Sequence, residues 1–359
     1  MRLEKNSALA LVVSHHTMKK LYNTVDKRIL KERIAKSNEP RTTVSFYKYH
    51  QIENPQQFRD DLFLAWTSFG VLGRTYVASE GINAQISVPD AQFDAFKNHL
   101  YSISFLNNVR LNTAVDDNGK SFFALRLKVR PKIVADGIED PNFDPSNTGK
   151  YLNAEEFNAK MSDPNTVVVD MRNHYESEVG HFDGALLPDV DTFREEIKVV
   201  EDILKNDKDK QVLMYCTGGI RCEKASAYMK YKGFENVYHL EGGIIKYARD
   251  IKANGVENKF KGVNFVFDER MAERIGDKVI AKCHQCGTPY DIHTNCANLA
   301  CHILFIQCPN CKTKYDNCCS EECQHIFHLP EEEQRAIRKG KKAERNVFKK
   351  GRFFDERNS

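Results

Sequence analysis

Apolar and polar residues alternate regularly from residue 43 onward, and this pattern defines a first block of structure. Strand-like alternation and helix-like spacing follow one another in the order strand, helix, hairpin, helix, strand. The segments that carry the pattern are, in turn, TVSFYKY, PQQFRDDLFLAWTSF, GRTYVASEGINAQISV, AQFDAFKNHLYSI and KSFFALRLKVR. The order β-α-β-β-α-β predicts a ferredoxin-like split βαβ domain over residues 41–140, preceded by a polar, lysine-rich extension at 1–40.

A second block follows a linker, DPNFDPSNTG, that is rich in Pro, Asp, Asn and Gly. The helical segment YLNAEEFNAKM precedes TVVVDMR, whose run of β-branched residues is typical of a buried parallel strand. The strand QVLMYC, the helix RCEKASAYMKYKGF and the strand and turn NVYHLEGG then follow. Alternating strands and helices predict an α/β domain with a parallel sheet over residues 148–258.

The chain length indicates several domains, and the N-terminal pattern indicates a reducing compartment. A chain of 359 residues is too long for one ordinary core, and its formal charge of +3 does not by itself imply a polyanionic partner. The apolar run at residues 8–13 is too short to span a bilayer and lacks the cleavage pattern of a signal peptide. We therefore expect a cytoplasmic protein without membrane segments, whose eleven cysteines serve thiolate chemistry and metal binding rather than disulfides.

One strand of the second block ends at a cysteine, in the sequence MYCTGGIRCEK. Because a helix is predicted to begin soon after Arg221, the loop that starts at Cys216 lies at a helix N-terminus. Inward N–H groups of a glycine-containing loop and the helix dipole together stabilise an anion. We predict that this anion is the Cys216 thiolate, with a pKa below the usual value of about 8.5. The loop residues expected to surround it are Thr217, Gly218, Gly219 and Ile220.

The residues around the loop leave several readings open. Arg221 is predicted to cap the loop or to bind substrate anions. A phosphatase would need a wider loop with arginine at the position that Cys222 occupies, so that reading is disfavoured, as is an inert buried cysteine. Cys222 either resolves an oxidised or persulfidated Cys216 as a disulfide or simply packs in the helix. Arg172, at the carboxyl end of the first parallel strand, is a candidate substrate ligand, whereas Asp170 is expected to fix loops.

Nine of the eleven cysteines lie between residues 283 and 323, in a region we predict as a third domain at 259–329. Two C-x-x-C pairs, CHQC at 283–286 and CPNC at 308–311, are typical of a four-thiolate zinc site. The other cysteines lie between and after these pairs, and this interleaved order resembles crossed-brace domains. We predict structural zinc, with free thiols and an iron–sulfur cluster as alternatives. The predicted ligands are Cys283, Cys286, Cys308 and Cys311 for the first site, and Cys296, Cys301, Cys318 and Cys323 for a second, where the adjacent Cys319 makes the choice ambiguous.

Several motifs together resemble a known family. CTGGIR, VVDMRNHYESEVGHFDGA and HLEGG resemble a rhodanese domain over roughly residues 148–255. With EPRTTVSFYKY, EGINAQISVP, DDNGKSF, VADGI, NFVFDER and CHQCG, residues 40–330 resemble the rhodanese-containing tRNA uridine hydroxylases. The resemblance implies an acylphosphatase-like N-terminal domain and a catalytic role for Cys216, whose counterpart in rhodanese-like proteins carries a persulfide. It also implies oxygen-dependent hydroxylation of wobble uridine 34 to 5-hydroxyuridine. The sequence shows neither a flavin fingerprint nor an evident two-His-one-carboxylate iron site, so the electron donor stays open.

The resemblance also implies tRNA, at its anticodon loop, as the partner. Basic residues with interleaved phenylalanines in the tail at 330–359 suit phosphate contacts and base stacking, although such a tail alone is commonly solvated and disordered. The candidate tRNA-binding residues are Arg126, Lys128, Arg130 and Lys132 along one strand, and Arg338, Lys341 and Lys342 in the tail. Two other functions remain: a persulfide sulfurtransferase, which the loop alone favours, and a non-catalytic RNA-binding or scaffolding protein.

Overall fold

The first domain is a five-stranded sheet with two helices on one face. The computed structural model describes residues 21–339, and in it a helix that ends four residues before the first strand precedes this domain. The elements are α1 (Lys27–Lys36), β1 (Arg41–Tyr49), α2 (Pro55–Ser68), β2 (Leu72–Ala78), β3 (Gly81–Pro89), α3 (Phe93–Ser102), β4 (Asn112–Thr113) and β5 (Leu125–Val129). Trp66 of α2 and Phe96 of α3 pack with buried Val, Ile and Phe side chains of the central strands to form its core.

The strands of this sheet lie in the order β4-β1-β3-β2-β5. The predicted split βαβ arrangement is confirmed, since β1 and β2 both pair antiparallel with β3. The last predicted strand, β5, pairs parallel with β2, while the two-residue β4 lies against β1 at the other edge. The pattern of the sequence identifies both helices and the hairpin, but it does not say at which edge the final strand is added.

The second domain is a four-stranded sheet, parallel as predicted, with helices on both faces. Its strands lie in the order β6-β10-β9-β7, and helices α6 and α7 cover one face while α4 and α8 cover the other. The elements are β6 (Lys150–Leu152), α4 (Ala154–Met161), β7 (Thr166–Asp170), α5 (His174–Ser177), β8 (Gly180–Phe182), α6 (Phe193–Leu204), β9 (Gln211–Tyr215), α7 (Ile220–Tyr231), β10 (Val237–Leu240) and α8 (Gly243–Asn254). The carboxyl ends of β7 and β9 therefore lie side by side.

The cysteine-rich region is attached to the second domain through a shared sheet. Strand β11 pairs antiparallel with β8, placing Phe260 opposite Phe182, and β12 extends the same sheet. The elements are β11 (Phe260–Phe265), β12 (Ala272–Arg274), β13 (His293–Asn295), β14 (Leu304–Ile306), α9 (Pro309–Lys314), α10 (Glu321–His328) and α11 (Glu331–Arg338). Among the helices in residues 21–339, none is long and apolar enough to cross a membrane.

Candidate functional site

The Cys216 loop joins the end of β9 to the start of α7. Gly219, the residue before the helix, has a φ of +101°, which strongly favours glycine. This conformation directs the Gly219 N–H at the Cys216 sulfur, with an N–Sγ distance of 3.2 Å. The side chain of Cys216 is almost completely buried. The loop therefore directs a backbone N–H at the sulfur, in the way that the glycines and the helix N-terminus predict.

A second glycine turn, at Gly242 and Gly243 before α8, packs against the backbone of the Cys216 loop. The Ile244 N–H donates to the Cys216 carbonyl at 3.0 Å. A Cβ atom on Gly243 would lie 2.5 Å from that same carbonyl oxygen and 2.6 Å from the carbonyl of Thr217, and Gly243 also has a positive φ of +65°. Only glycine allows this approach, so the segment HLEGG supports the loop as well as forming a turn.

The loop holds one thiolate and one thiol. Burial raises the pKa of the Cys216 thiol, but the hydrogen bond from the Cys222 thiol, the charge of Arg221 and the N–H groups of Cys222 and Gly219 outweigh burial and lower it to about 6. Burial and the neighbouring Cys216 raise the pKa of Cys222 well above its ordinary value. Near neutral pH, Cys216 is thus ionised, and Cys222 is the protonated partner that donates to it.

Arg221 is held by a carboxylate that sequence reasoning missed. Its two terminal nitrogens donate to Oε1 and Oε2 of Glu176 at 2.6 and 2.9 Å, and both side chains are buried. Glu176 also accepts a hydrogen bond from the Thr217 hydroxyl at 3.3 Å. A signal for it exists in the sequence, because the N-H-Y-E capping pattern after β7 places a carboxylate at the same sheet edge as Cys216.

The placement of Arg172 corrects its expected role as a substrate ligand. The guanidinium is completely buried and donates to both carboxylate oxygens of Asp170, at 2.8 and 2.7 Å, and to the Gly180 carbonyl. Because its donors are directed at these internal partners, Arg172 fixes the strand end and does not line the space in front of the Cys216 loop. Asp170 has the structural role that was expected of it.

The Cys216 loop opens into a cavity of about 380 Å³ that is lined by the first two domains and by residues 266–268, 270 and 273 of the third. The loop forms one wall, and the polar face of the first sheet forms another, with Tyr47 so close that a Cβ on Gly219 would lie 2.9 Å from its hydroxyl oxygen. Asn112 reaches the loop as well, through a 3.4 Å hydrogen bond to the Gly218 carbonyl. The site therefore needs both domains, which the loop motif alone does not reveal.

The nine clustered cysteines form two groups of four and leave one over. Each group has its four sulfurs within 4.8 Å of one another, and individual S–S distances are 3.6 Å for Cys286–Cys308 and 3.7 Å for Cys301–Cys319. A tetrahedral metal with bonds of about 2.3 Å needs sulfurs about 3.8 Å apart, so both groups fit a metal ion. The groups are Cys283, Cys286, Cys308 and Cys311, and Cys296, Cys301, Cys319 and Cys323.

The second group corrects one predicted ligand. Cys319 takes the position expected for Cys318, which instead packs in a buried cluster with Ile303 and Phe305. The sulfur of Cys319 lies 3.6 Å from that of Cys323 on the first turn of α10. The two groups alternate along the chain, pair by pair, as the interleaved spacing predicts.

The predicted basic strand lies partly at the edge of the cavity. Arg126 and Lys128 are exposed on β5 and pair in register with Arg74 and Tyr76 of β2, which line the cavity. Strand β5 ends at Val129, so the expected alternation over four basic residues stops there.

The remaining basic candidates differ in their surroundings. The Arg130 guanidinium lies over the Tyr76 ring at 5.7 Å, whereas the Lys132 ammonium turns inward to Asp136 and the Ile138 carbonyl. Arg338 lies in α11 and is half-buried, and Lys341 and Lys342 lie outside the described residues.

A parallel sheet whose thiolate loop joins a strand end to a helix N-terminus defines a rhodanese-like protein. Family models agree: residues 153–250 match the rhodanese-like domain, 261–324 the rhodanase C-terminal domain, and 41–133 the UPF0176 acylphosphatase-like domain. A solved rhodanese-like domain protein from Staphylococcus aureus is 25% identical over 27% of this chain and 90% of its own, with a TM-score of 0.23.

Relatives of nearly the same length identify the family. The tRNA uridine(34) hydroxylase of Pectobacterium atrosepticum is 59% identical over 92% of this chain and 94% of that protein. The protein of the same name from Photorhabdus laumondii is 56% identical over 92% of this chain and 95% of its own. The chain therefore belongs to the tRNA uridine(34) hydroxylase family, as the sequence motifs indicated.

Proposed function

We propose that this protein hydroxylates carbon 5 of uridine 34 in tRNA, using molecular oxygen, and that Cys216 is its reactive group. Membership of the hydroxylase family supports the reaction and the substrate. The observation that carries the proposal to this chain is the cavity of about 380 Å³ in front of the Cys216 thiolate, which lies in the size range of small-ligand sites and has room for a nucleobase. Inserting one atom of O₂ at C5 and releasing the other as water takes up two electrons and two protons, so the reaction also needs a reductant.

The surface beside the cavity supports an RNA substrate. Arg126 and Lys128 follow the sheet edge next to the cavity wall and would contact phosphates, whose contribution to affinity is electrostatic. Bases in an anticodon loop are single-stranded and can be turned out of their stack at low cost. We therefore propose that the anticodon loop docks over β5 with the wobble base inserted toward Cys216, in a cytoplasmic enzyme.

We further propose that the two cysteine groups hold structural zinc. The four sulfurs of each group enclose space for one ion, and this spacing favours a single tetrahedral ion over a multi-iron cluster. Zinc would supply charge neutralisation and cross-links to a region in which β12, β13 and β14 have only three residues each.

A second candidate function is persulfide transfer. The lowered pKa of Cys216 and the N–H donors of Gly219 and Cys222 favour it, because the same donors would also stabilise a persulfide anion. In this alternative the outer sulfur of a Cys216 persulfide passes to an acceptor. Attack of the Cys222 thiol on the inner sulfur would break the S–S bond, expel the outer sulfur and form a Cys216–Cys222 disulfide, which an external thiol reductant would return to two thiols.

Mass spectrometry of tRNA nucleosides separates the two functions. Cells lacking the protein are complemented with the native chain or with Cys216→Ser, and with Cys318→Ser as a cysteine control that lies outside the loop and both sulfur groups. We expect 5-hydroxyuridine and its derivatives to return with the native chain and the control only. Unchanged hydroxylation together with an altered thiolated nucleoside would establish sulfur transfer instead.

A further inference from the structure

The cavity wall opposite the Cys216 loop carries an ordered set of polar side chains on the first sheet. Residues 83 and 85 of β3 are two apart, so both point to the polar face, while Ile82, Ala84 and Ile86 point into the core. In the cross-strand register Asn83 stands between Tyr47 and Tyr76, and Gln85 stands between Ser45 and Arg74. All six of these polar-face residues line the cavity.

The amide of Asn83 is fixed in one orientation. Its Nδ2 donates to the Ile133 carbonyl at 3.2 Å, and only the NH₂ end of an amide can make that bond. The carbonyl end, Oδ1, is therefore set as the acceptor of this side chain.

The amide of Gln85 is fixed in the opposite sense. Its Oε1 accepts from the Arg74 guanidinium at 3.4 Å, and a guanidinium can only donate. The NH₂ end of Gln85 is therefore the donor of this side chain. A third group, the Ser45 hydroxyl beside Gln85, is buried without a hydrogen-bond partner, as expected of a wall that awaits a polar ligand.

We propose that Asn83 and Gln85 form the recognition site for the uracil base, an inference that rests on the function proposed above. A fixed acceptor next to a fixed donor matches the N3–H and O2 edge of uracil. Cytosine presents an acceptor at N3, which would face the Asn83 acceptor and leave both without a partner. Tyr47 and Tyr76 flank Asn83 on the neighbouring strands and offer aromatic surfaces for the ring.

This reading also orients the reacting carbon. On the pyrimidine ring C5 lies opposite C2, so a base held at O2 and N3 directs C5 away from the sheet and across the cavity toward the Cys216 loop. The first domain would then select the base while the second presents the thiolate. Asn83 and Gln85 would thus determine specificity and take no part in the chemistry at sulfur.

Binding of short RNAs tests the assignment without requiring turnover. The probes are anticodon stem-loops that carry uridine, cytidine or 3-methyluridine at position 34, and the proteins are the full chain and its Asn83→Ala and Gln85→Ala variants. For the native chain we expect uridine to bind about 5- to 150-fold more tightly than cytidine. Each variant should bring this ratio close to one while retaining affinity for the cytidine RNA. Gln92→Ala, which removes an exposed amide of the same domain outside the cavity, should leave the ratio unchanged.

The 3-methyl probe adds a test of the contact itself. Methylation removes the N3–H donor, so it should weaken binding to the native chain but much less to Asn83→Ala, which lacks the acceptor and has room for the methyl group. Native protein that does not distinguish uridine from cytidine, or variants that keep the native preference, would overturn the assignment. The cellular nucleoside assay judges the hydroxylase function separately, because it depends on Cys216 and not on the affinity ratio.

Discussion

The Glu176–Arg221 pair yields a prediction in which protein stability and thiol acidity change together. In Glu176→Gln the guanidinium of Arg221 stays buried but loses the negative carboxylate to which it donates hydrogen bonds of 2.6 and 2.9 Å. Removing one partner from a buried pair costs about 3–5 kcal/mol, a large part of the stability of a typical domain. Urea unfolding measures this loss of stability. The control is Glu195→Gln, an exposed glutamate in the first turn of α6, whose substitution should leave the free energy of unfolding nearly unchanged.

The same substitution should make Cys216 more acidic. Arg221 already lowers the pKa of this thiol, and without Glu176 its positive charge acts on the thiolate uncompensated. The pKa should therefore fall below its native value of about 6. Ultraviolet titration of the thiolate measures it after subtraction of the same titration of Cys216→Ser. A pKa that rises in Glu176→Gln would refute this reasoning, since it would mean that Glu176 acts by holding Arg221 in place.

Three further predictions concern residues that support the site. Gly243→Ala should lower the melting temperature and the reactivity of Cys216, because the new Cβ would meet a carbonyl oxygen at 2.5 Å, whereas Gly255→Ala has open space and should show only the smaller cost of its positive φ. With zinc in both sulfur groups as proposed, Cys319→Ser should reduce the zinc content, measured by elemental analysis, from two ions to about one per chain, and Cys318→Ser should retain both; equal losses would contradict the ligand assignment. Burial raises the pKa of the Glu196 carboxyl well above its ordinary value, so the folded state binds the carboxyl proton more tightly than the unfolded state does. The stability of the native state should therefore fall as the pH rises above the unfolded pKa of about 4.3. Unfolding of Glu196→Gln should lack that decline, and parallel curves for the two proteins would exclude it.

The sequence predicts elements and local chemistry well because both depend on near neighbours. Spacing of apolar residues is enough to recognise α2 and α3 and the hairpin of β2 and β3, and the glycines beside Cys216 are enough to predict an anion loop. Cysteine spacing likewise assigns the first group of four sulfurs. The choice between Cys318 and Cys319 needs the fold, because adjacent residues differ only in which side chain faces the other three ligands.

Long-range pairings account for what the sequence does not predict. The partner of Arg221 comes from helix α5, after a different strand, and the opposite wall of the cavity comes from a different domain. From the sequence, Arg172 is a candidate substrate ligand. In the structure, its guanidinium donates instead to the carboxylate of Asp170, two residues earlier. The basic alternation beyond Val129 fails because the strand ends there and Lys132 finds an internal carboxylate.

The alternation of the two sulfur groups along the chain makes them mechanically interdependent. A metal in the first group would close a loop from Cys283 to Cys311, one in the second would close a loop from Cys296 to Cys323, and each loop contains part of the other. Residues 296–311 belong to both loops, so loss of the metal from either group would release a constraint on this shared segment. Oxidation of the exposed Cys286 would therefore disturb both metal positions.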